Sequence, residues 1–256
     1  MIYLESGHPE AAVSDMTRRA LLRIGIGGGA AALLSSCDDP PRGRTSAARD
    51  ARRSPVVAAE YLFLQPAEIV FVDAAVARLI PRDVLGPSGA EAGVTLFIDR
   101  QLHGPFGQAA RWYMQGPFAK GTEQQGYQLQ RTPAQLYRAA IGAIDTHCRT
   151  SEHETFAALS AERQDRVLHG LEKGDIDVPG VSGKEFFKML WQNTQEGYFA
   201  DPIYEGNRGF AGWRLVGFPG PRYNYVDDIR HYGQPYPWPT VGLMGRDPTR
   251  RPGSPA

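Results

Sequence analysis

Cysteine is nearly missing from this chain, with only Cys37 and Cys148 among its 256 residues. That count excludes a disulfide-stapled scaffold and any all-cysteine metal or iron–sulfur cluster. Charge of one sign is not in excess either. Lys and Arg number 28 against 28 Asp and Glu, so the basic footprint of a nucleic-acid-binding protein is absent. The apolar run at residues 24–34 is only eleven residues long, too short to span a bilayer. Catalytic motifs are lacking as well: HExxH, CxxC and GxSxG do not occur, and none of the six histidines pairs with another at helical metal-ligand spacing. His147 and Cys148 are adjacent, but neighbours on a helix point in different directions and form no dyad. Asp73, Asp83 and Asp99 read as solvated or capping carboxylates near helix surfaces and ends. No catalytic, cofactor-binding or metal-ligating residue emerges from this pattern.

What is present begins with an export segment. Arg18 and Arg19 are followed by Leu21 and Leu22 and then by the short Gly- and Ala-rich run at 24–34. A basic region ahead of a weakly hydrophobic stretch describes a secretory signal, and the paired arginines point to the twin-arginine route. Gly25, Gly27 and Ala30 formally match a dinucleotide fingerprint, but the run lacks a preceding strand and sits behind two arginines. The residues before Met16 are acidic and polar, unlike a signal's opening, so translation from Met1 or from Met16 are both open. Leu34-Ser35-Ser36-Cys37 resembles a bacterial lipobox. Cleavage before Cys37 leaves 220 residues with a lipid-modified cysteine that tethers the chain to a membrane. The alternative is an ordinary signal junction with an incidental cysteine. Residues 38–59, rich in Pro, Arg, Ser and Ala, read as a flexible linker.

From residue 60 the pattern turns helical. Pro66 opens a helix whose stripe is Ile69, Val72, Val76 and Leu79, and Pro81 stops it. Ser88 and Glu91 form a capping box for a second helix bearing Val94, Phe97, Ile98 and Leu102. Thr132 and Gln135 repeat the device ahead of Leu136, Tyr137, Ala140, Ile141 and Ile144. Ser160 caps a helix with Val167, Leu168 and Leu171 that Gly174 closes, and Ser182 starts the last, with Phe186, Phe187, Leu190 and Thr194. Residues 112–127 are aromatic and Gly-rich with no period and read as a loop. About five helices with hardly any alternating pattern predict an all-α, irregular helical body over 60–218. Beyond it lies an extended Pro- and aromatic-rich C-terminal arm, 219–256, holding eight of the 20 prolines.

Between body and arm, residues 199–220 read FADPIYEGNRGFAGWRLVGFPG. Asp201-Pro202 disfavours helix, Gly206, Gly209 and Gly212 permit left-handed backbone, and Phe199, Tyr204, Phe210 and Trp213 require burial. FADPIYEGN followed by GWRLVGFPGPRYNY resembles the signature of the gluconate 2-dehydrogenase small-subunit (subunit 3, gamma) family, with Glu205 where that pattern usually has Gly. The resemblance runs from about Pro66 to Gly245. It implies the small subunit of a membrane-bound periplasmic complex. A large FAD-dependent subunit of the glucose-methanol-choline type oxidises D-gluconate to 2-keto-D-gluconate. A multi-haem cytochrome c subunit passes electrons to quinone, and the small subunit holds no cofactor.

On this reading the chain is not an enzyme by itself. It stabilises the flavin subunit and carries it through twin-arginine export. Residues expected to meet the partner are Phe199, Asp201, Pro202, Tyr204, Gly206, Asn207, Trp213, Phe218, Tyr223, Tyr225 and Trp238, since an aromatic strip among prolines buries poorly on its own chain. A related FAD-dependent glucose, fructose or polyol dehydrogenase, or a solitary ligand-binding periplasmic lipoprotein, are the alternatives. Cys148 has two readings. It continues the stripe of Tyr137, Ile141 and Ile144 as a small buried hydrophobe, or, standing at the end of that helix where Arg149 to Glu152 turn polar, it is a lone thiol in an oxidising compartment whose sulfur reaches a neighbouring surface and forms a disulfide to the flavin subunit, a tie in keeping with the family resemblance.

Overall fold

The computed structural model describes residues 61–245, apart from Lys120, Asp177 and the side chain of Glu123. Arg18, Arg19, Leu21, Leu22, Cys37, the linker at 38–59 and the last residues of the arm lie outside the described residues. Six α-helices follow in order: α1 Pro66–Leu79, α2 Val94–His103, α3 Pro133–Glu152, α4 Ala161–Lys173, α5 Gly183–Phe199 and the short α6 Ala211–Val216. Short 3-10 turns lie in three of the connections, two of them between α5 and α6, and among the described residues the only bridge is an isolated pair, Gly242 with Gly245. The body is all-α.

The caps form as their sequences require. Thr132 Oγ1 accepts from Gln135 N at 3.3 Å while Gln135 Oε1 accepts from Thr132 N at 3.0 Å. Ser160 and Ser182 accept from Arg163 and Glu185 amides three residues on, and Gly174 closes α4 at φ 80°. One boundary differs from expectation. Ser88 and Glu91 exchange their reciprocal bonds, yet α2 begins only at Val94, because Gly93 takes φ 83° and interrupts the right-handed path. A Cβ at Gly93 would lie 2.7 Å from both Glu205 O and Arg208 Nε, so the break is where residues 205–208 pack onto the body.

The stripes converge on one core. Phe71 of α1 packs on Phe156 at a ring separation of 4.7 Å, and Phe186 of α5 meets Tyr137 of α3 edge-on at 5.3 Å. Burial of such rings contributes most of the favourable free energy. The buried polar groups are paired: Asn193 Nδ2 donates to Tyr137 Oη at 2.9 Å, and Asp145 Oδ1 accepts from Phe156 N at 3.0 Å. Arg78 of α1 grips Asp165 of α4 through two bonds of 2.8 and 2.7 Å.

Asp99 is the most heavily used of these groups. Fully buried on α2, it accepts from Leu62 N at 2.8 Å, Phe63 N at 2.9 Å and Leu64 N at 2.8 Å, and pairs with Arg100 at 2.9 Å. A carboxylate ringed by three amides fixes the chain as it enters the body. Asp99→Ala leaves those donors without an acceptor and is expected to destabilise the fold by about 3 kcal/mol or more. Chemical denaturation measures this; a midpoint unchanged from the wild type would refute it.

Candidate functional site: the hinge after α5

A helix leaves its last carbonyls without intrahelical partners. At the end of α5 two of them are met by side chains from further along the chain. Trp213 Nε1 donates to Phe199 O at 2.7 Å, and Asn207 Nδ2 donates to Ala200 O at 2.8 Å. The other end of the Asn207 amide accepts from Gly212 N at 2.8 Å, a donor in the first turn of α6. One fully buried amide thus joins the end of one helix to the start of the next.

That junction needs close backbone approach. A Cβ on Gly206 would lie 2.1 Å from Gly197 O, and one on Gly212 would lie 2.1 Å from Tyr198 O. The chain also turns sharply: Glu205 (φ 75°), Asn207 (φ 49°), Gly209 (φ 65°) and Phe210 (φ 57°) all occupy the left-handed region. For the three residues that carry a Cβ this conformation is costly. It is offset by packing, since Phe210 is buried and stacks on Trp213 at 5.3 Å with 13° between planes, while Phe218 meets Trp213 edge-on at 5.0 Å.

The residues expected to meet a partner therefore divide. Pro202, Gly206, Asn207 and Trp213 are buried in this chain and hold the hinge, so any effect on a partner is through shape. The Asp201 carboxylate is committed to two backbone amides, Ile203 N at 3.0 Å and Leu243 N at 2.7 Å. Phe199, Tyr204, Phe218, Tyr223 and Trp238 are exposed, and Tyr225 is half-buried. Twelve of the nineteen large apolar side chains exposed among the described residues lie between Phe199 and Met244. A shallow groove of about 410 Å³ runs beside this region, lined by Phe97, Gln101, Glu196, Phe199, Ala200 and Tyr204.

The described part of the arm has one turn of 3-10 helix, Val226–Asp228, and no α-helix or strand. Its two ends meet: Val241 N donates to Pro219 O at 3.2 Å. Sequence reasoning found this segment through its prolines and aromatics. It had no signal for α6, whose six residues are too few to show a period, or for the return of the arm to Asp201.

At the surface, the bond from Arg82 holds the Glu91 carboxyl down to about 2; in and beside the core, burial displaces proton affinities upward. Burial raises the Tyr137 and Tyr198 phenols, pushes Tyr127 up to about 12, and raises the Cys148 thiol to about 11, with Asp145 and Glu152 adding to the last. A second, open cleft of about 810 Å³ beside Trp112, Phe118 and Tyr127 presents aromatic and amide groups; neither carboxylate, histidine nor cation lines it among the described residues. No group of three or more His, Cys, Asp or Glu that could hold a metal occurs among the described residues. A c-type haem would need two closely spaced cysteines, and Cys37 and Cys148 are far apart in sequence.

Cys148 itself is free and fully buried on α3, within the cluster of Ile141 and Ile144. The expected reach of this thiol to a neighbouring surface is not what the geometry favours. The helix continues past it to Glu152, so the sulfur stays on the inward stripe instead of emerging at a helix end.

The fold and hinge define an all-α chain over the described residues. The family model described as gluconate 2-dehydrogenase subunit 3 matches residues 66–220, from the first residue of α1 to the end of the hinge, and the chain belongs to that family. No curated protein and no solved structure matches it. No described helix is long and apolar enough to cross a membrane.

Two measurements probe this site. Glu205→Gly removes the Cβ penalty at φ 75°, and after allowance for the freer unfolded chain it is expected to stabilise by roughly 0.5–1 kcal/mol. Asn207→Ala strands a carbonyl and an amide and is expected to cost about 2–4 kcal/mol. Equilibrium unfolding reads both signs, and a destabilising Glu205→Gly would sink the strain argument. Cys148 is expected to resist maleimide in the folded chain and to react fully in denaturant, because a buried thiol raised to about 11 presents almost no thiolate near neutral pH. Rapid labelling of the folded protein would overturn the buried placement.

Proposed function

We propose that this chain is the non-catalytic small subunit of a membrane-bound, periplasmic, FAD-dependent gluconate 2-dehydrogenase-type complex. It stabilises the large flavin subunit and carries it through the twin-arginine export route. The observation that carries this reading is the family match over residues 66–220. The export half rests on Arg18, Arg19, Leu21 and Leu22, and the tether on Cys37 as a lipid attachment site at the periplasmic face of the cytoplasmic membrane.

In this arrangement the redox chemistry resides in the partners. The flavin subunit, of the glucose-methanol-choline type, takes two electrons from the C2 hydroxyl of gluconate. A multi-haem cytochrome c subunit receives them. The small subunit contributes surface: Phe199, Tyr204, Phe218, Tyr223 and Trp238 are exposed side chains of the type that anchors stable interfaces. Substrate is set by the large subunit, so a glucose, fructose or polyol dehydrogenase of the same build is the alternative.

The twin-arginine route carries folded proteins, which suits a passenger loaded with flavin before export. Replacing Arg18 and Arg19 together by Lys is expected to hold both the small and the flavin subunit in the cytoplasm and to abolish periplasmic dye-linked gluconate oxidation. A flavin subunit that still reaches the periplasm in that strain refutes the carrier role. Co-purification of the untagged flavin subunit with the wild-type chain, identified by mass spectrometry, tests the complex itself.

A further inference from the structure

We propose that the arm is a closed, preformed docking loop, and that Asp201 is the positioning residue that holds it shut in the free chain. The inference rests on the reading that the arm meets the flavin subunit, and it adds how the arm is presented and what kind of surface receives it.

A segment rich in proline and aromatics would ordinarily sample many conformations. Residues 219–245 are instead tied at the neck and across the middle. At the neck, Val241 N donates to Pro219 O at 3.2 Å, and Gly220, at φ 91°, lets the two strands of chain approach so closely that a Cβ there would lie 1.7 Å from Val241 O. Just beyond, Gly242 and Gly245 exchange backbone bonds of 2.6 and 2.8 Å in a tight turn. This turn is seated on the hinge: Leu243 N donates to Asp201 Oδ2 at 2.7 Å, and a Cβ on Gly242 would lie 3.1 Å from both Asp201 oxygens and 3.3 Å from the Phe210 ring. Within the loop, Tyr225 Oη donates to Gly220 O, Arg222 donates to Pro239 O and lies 5.3 Å over the Tyr236 ring, and Tyr225 meets Tyr236 at 5.9 Å.

The closed loop turns large aromatic and aliphatic side chains outward, among polar ones that include Asn224, Asp227, Arg230 and Gln234. Tyr223, Ile229, Tyr232 and Trp238 are exposed, while Tyr225 and Tyr236 are half-buried as its internal struts. Its charges cancel, Arg222 and Arg230 against Asp227 and Asp228. A neutral surface led by Tyr and Trp fits a partner face that is itself uncharged and aromatic or aliphatic, and it offers nothing to an anionic lipid surface. On the proposed function, the occupant is the flavin subunit. A loop ordered before contact loses less conformational freedom on binding, so closure strengthens the complex without itself touching the partner.

Two variants isolate the latch. Asp201→Asn keeps an acceptor for Ile203 N and loses the second carboxylate oxygen for Leu243 N; Leu243→Pro removes that donor and leaves Asp201 intact. In the full-length chain, hydrogen exchange at Val241 is expected to rise about tenfold or more in Asp201→Asn, with α1–α5 unchanged. Affinity for the purified flavin subunit is expected to fall roughly tenfold in both variants. Unchanged exchange at Val241 in Asp201→Asn overturns the latch. Raised exchange with unchanged affinity also overturns the proposal, and Tyr232→Ala and Trp238→Ala then separate the two readings. If those substitutions weaken the complex, only preorganisation fails; if they too leave it intact, docking through the arm fails with it.

Discussion

The free carbonyls at the end of α5 are the constraint on which the rest of this structure depends. A helix that stops against the rest of a chain must find donors for its last carbonyls, here Phe199 O and Ala200 O. Here the donors come from Trp213 and Asn207, after a turn tight enough to bring them back. That requirement accounts for the glycines at 206 and 212, for the left-handed residues between them, and for the seating of Arg208 N on Ala92 O at 3.0 Å. The interruption of α2 at Gly93 follows from the same contact.

Two buried or half-buried carboxylates manage the chain at the body's borders. Asp99 gathers the amides of Leu62, Phe63 and Leu64 as the chain enters, and Asp201 gathers those of Ile203 and Leu243 after it has left and returned. In each case a carboxyl group meets backbone donors that are left over at the ends of regular structure. The helical core between them is held by the Phe71, Phe156, Phe186 and Tyr137 rings.

This division suits a member of the gluconate 2-dehydrogenase subunit 3 family. The body provides the helical core, the hinge sets the direction in which the chain leaves it, and most of the exposed large apolar side chains follow on residues 199–244. In the proposed complex such a subunit works by binding energy and by address, while electron transfer belongs to its partners.

Five of the six α-helices among the described residues were legible in the sequence because local chemistry specifies them. Capping pairs such as Thr132 with Gln135, the Pro at the first helical position and the 3,4 stripes act within one or two turns, where neighbours in sequence are neighbours in space. The signature at 199–220 was also legible, and with it the family. What the residues in it do was not. Asn207 and Trp213 look alike in sequence to exposed contact residues, and only the folded chain reveals that their donors face the end of α5. The break at Gly93, the buried sulfur of Cys148 and the closure of the arm on Asp201 share that property. Each depends on a contact between segments distant in sequence, such as the 42 positions separating Asp201 from Leu243, and no local pattern encodes which distant backbone amide a carboxylate will meet. The sequence by itself determined the helices and their inward faces; the tertiary structure decided which polar groups hold the hinge and which aromatics are left facing outward.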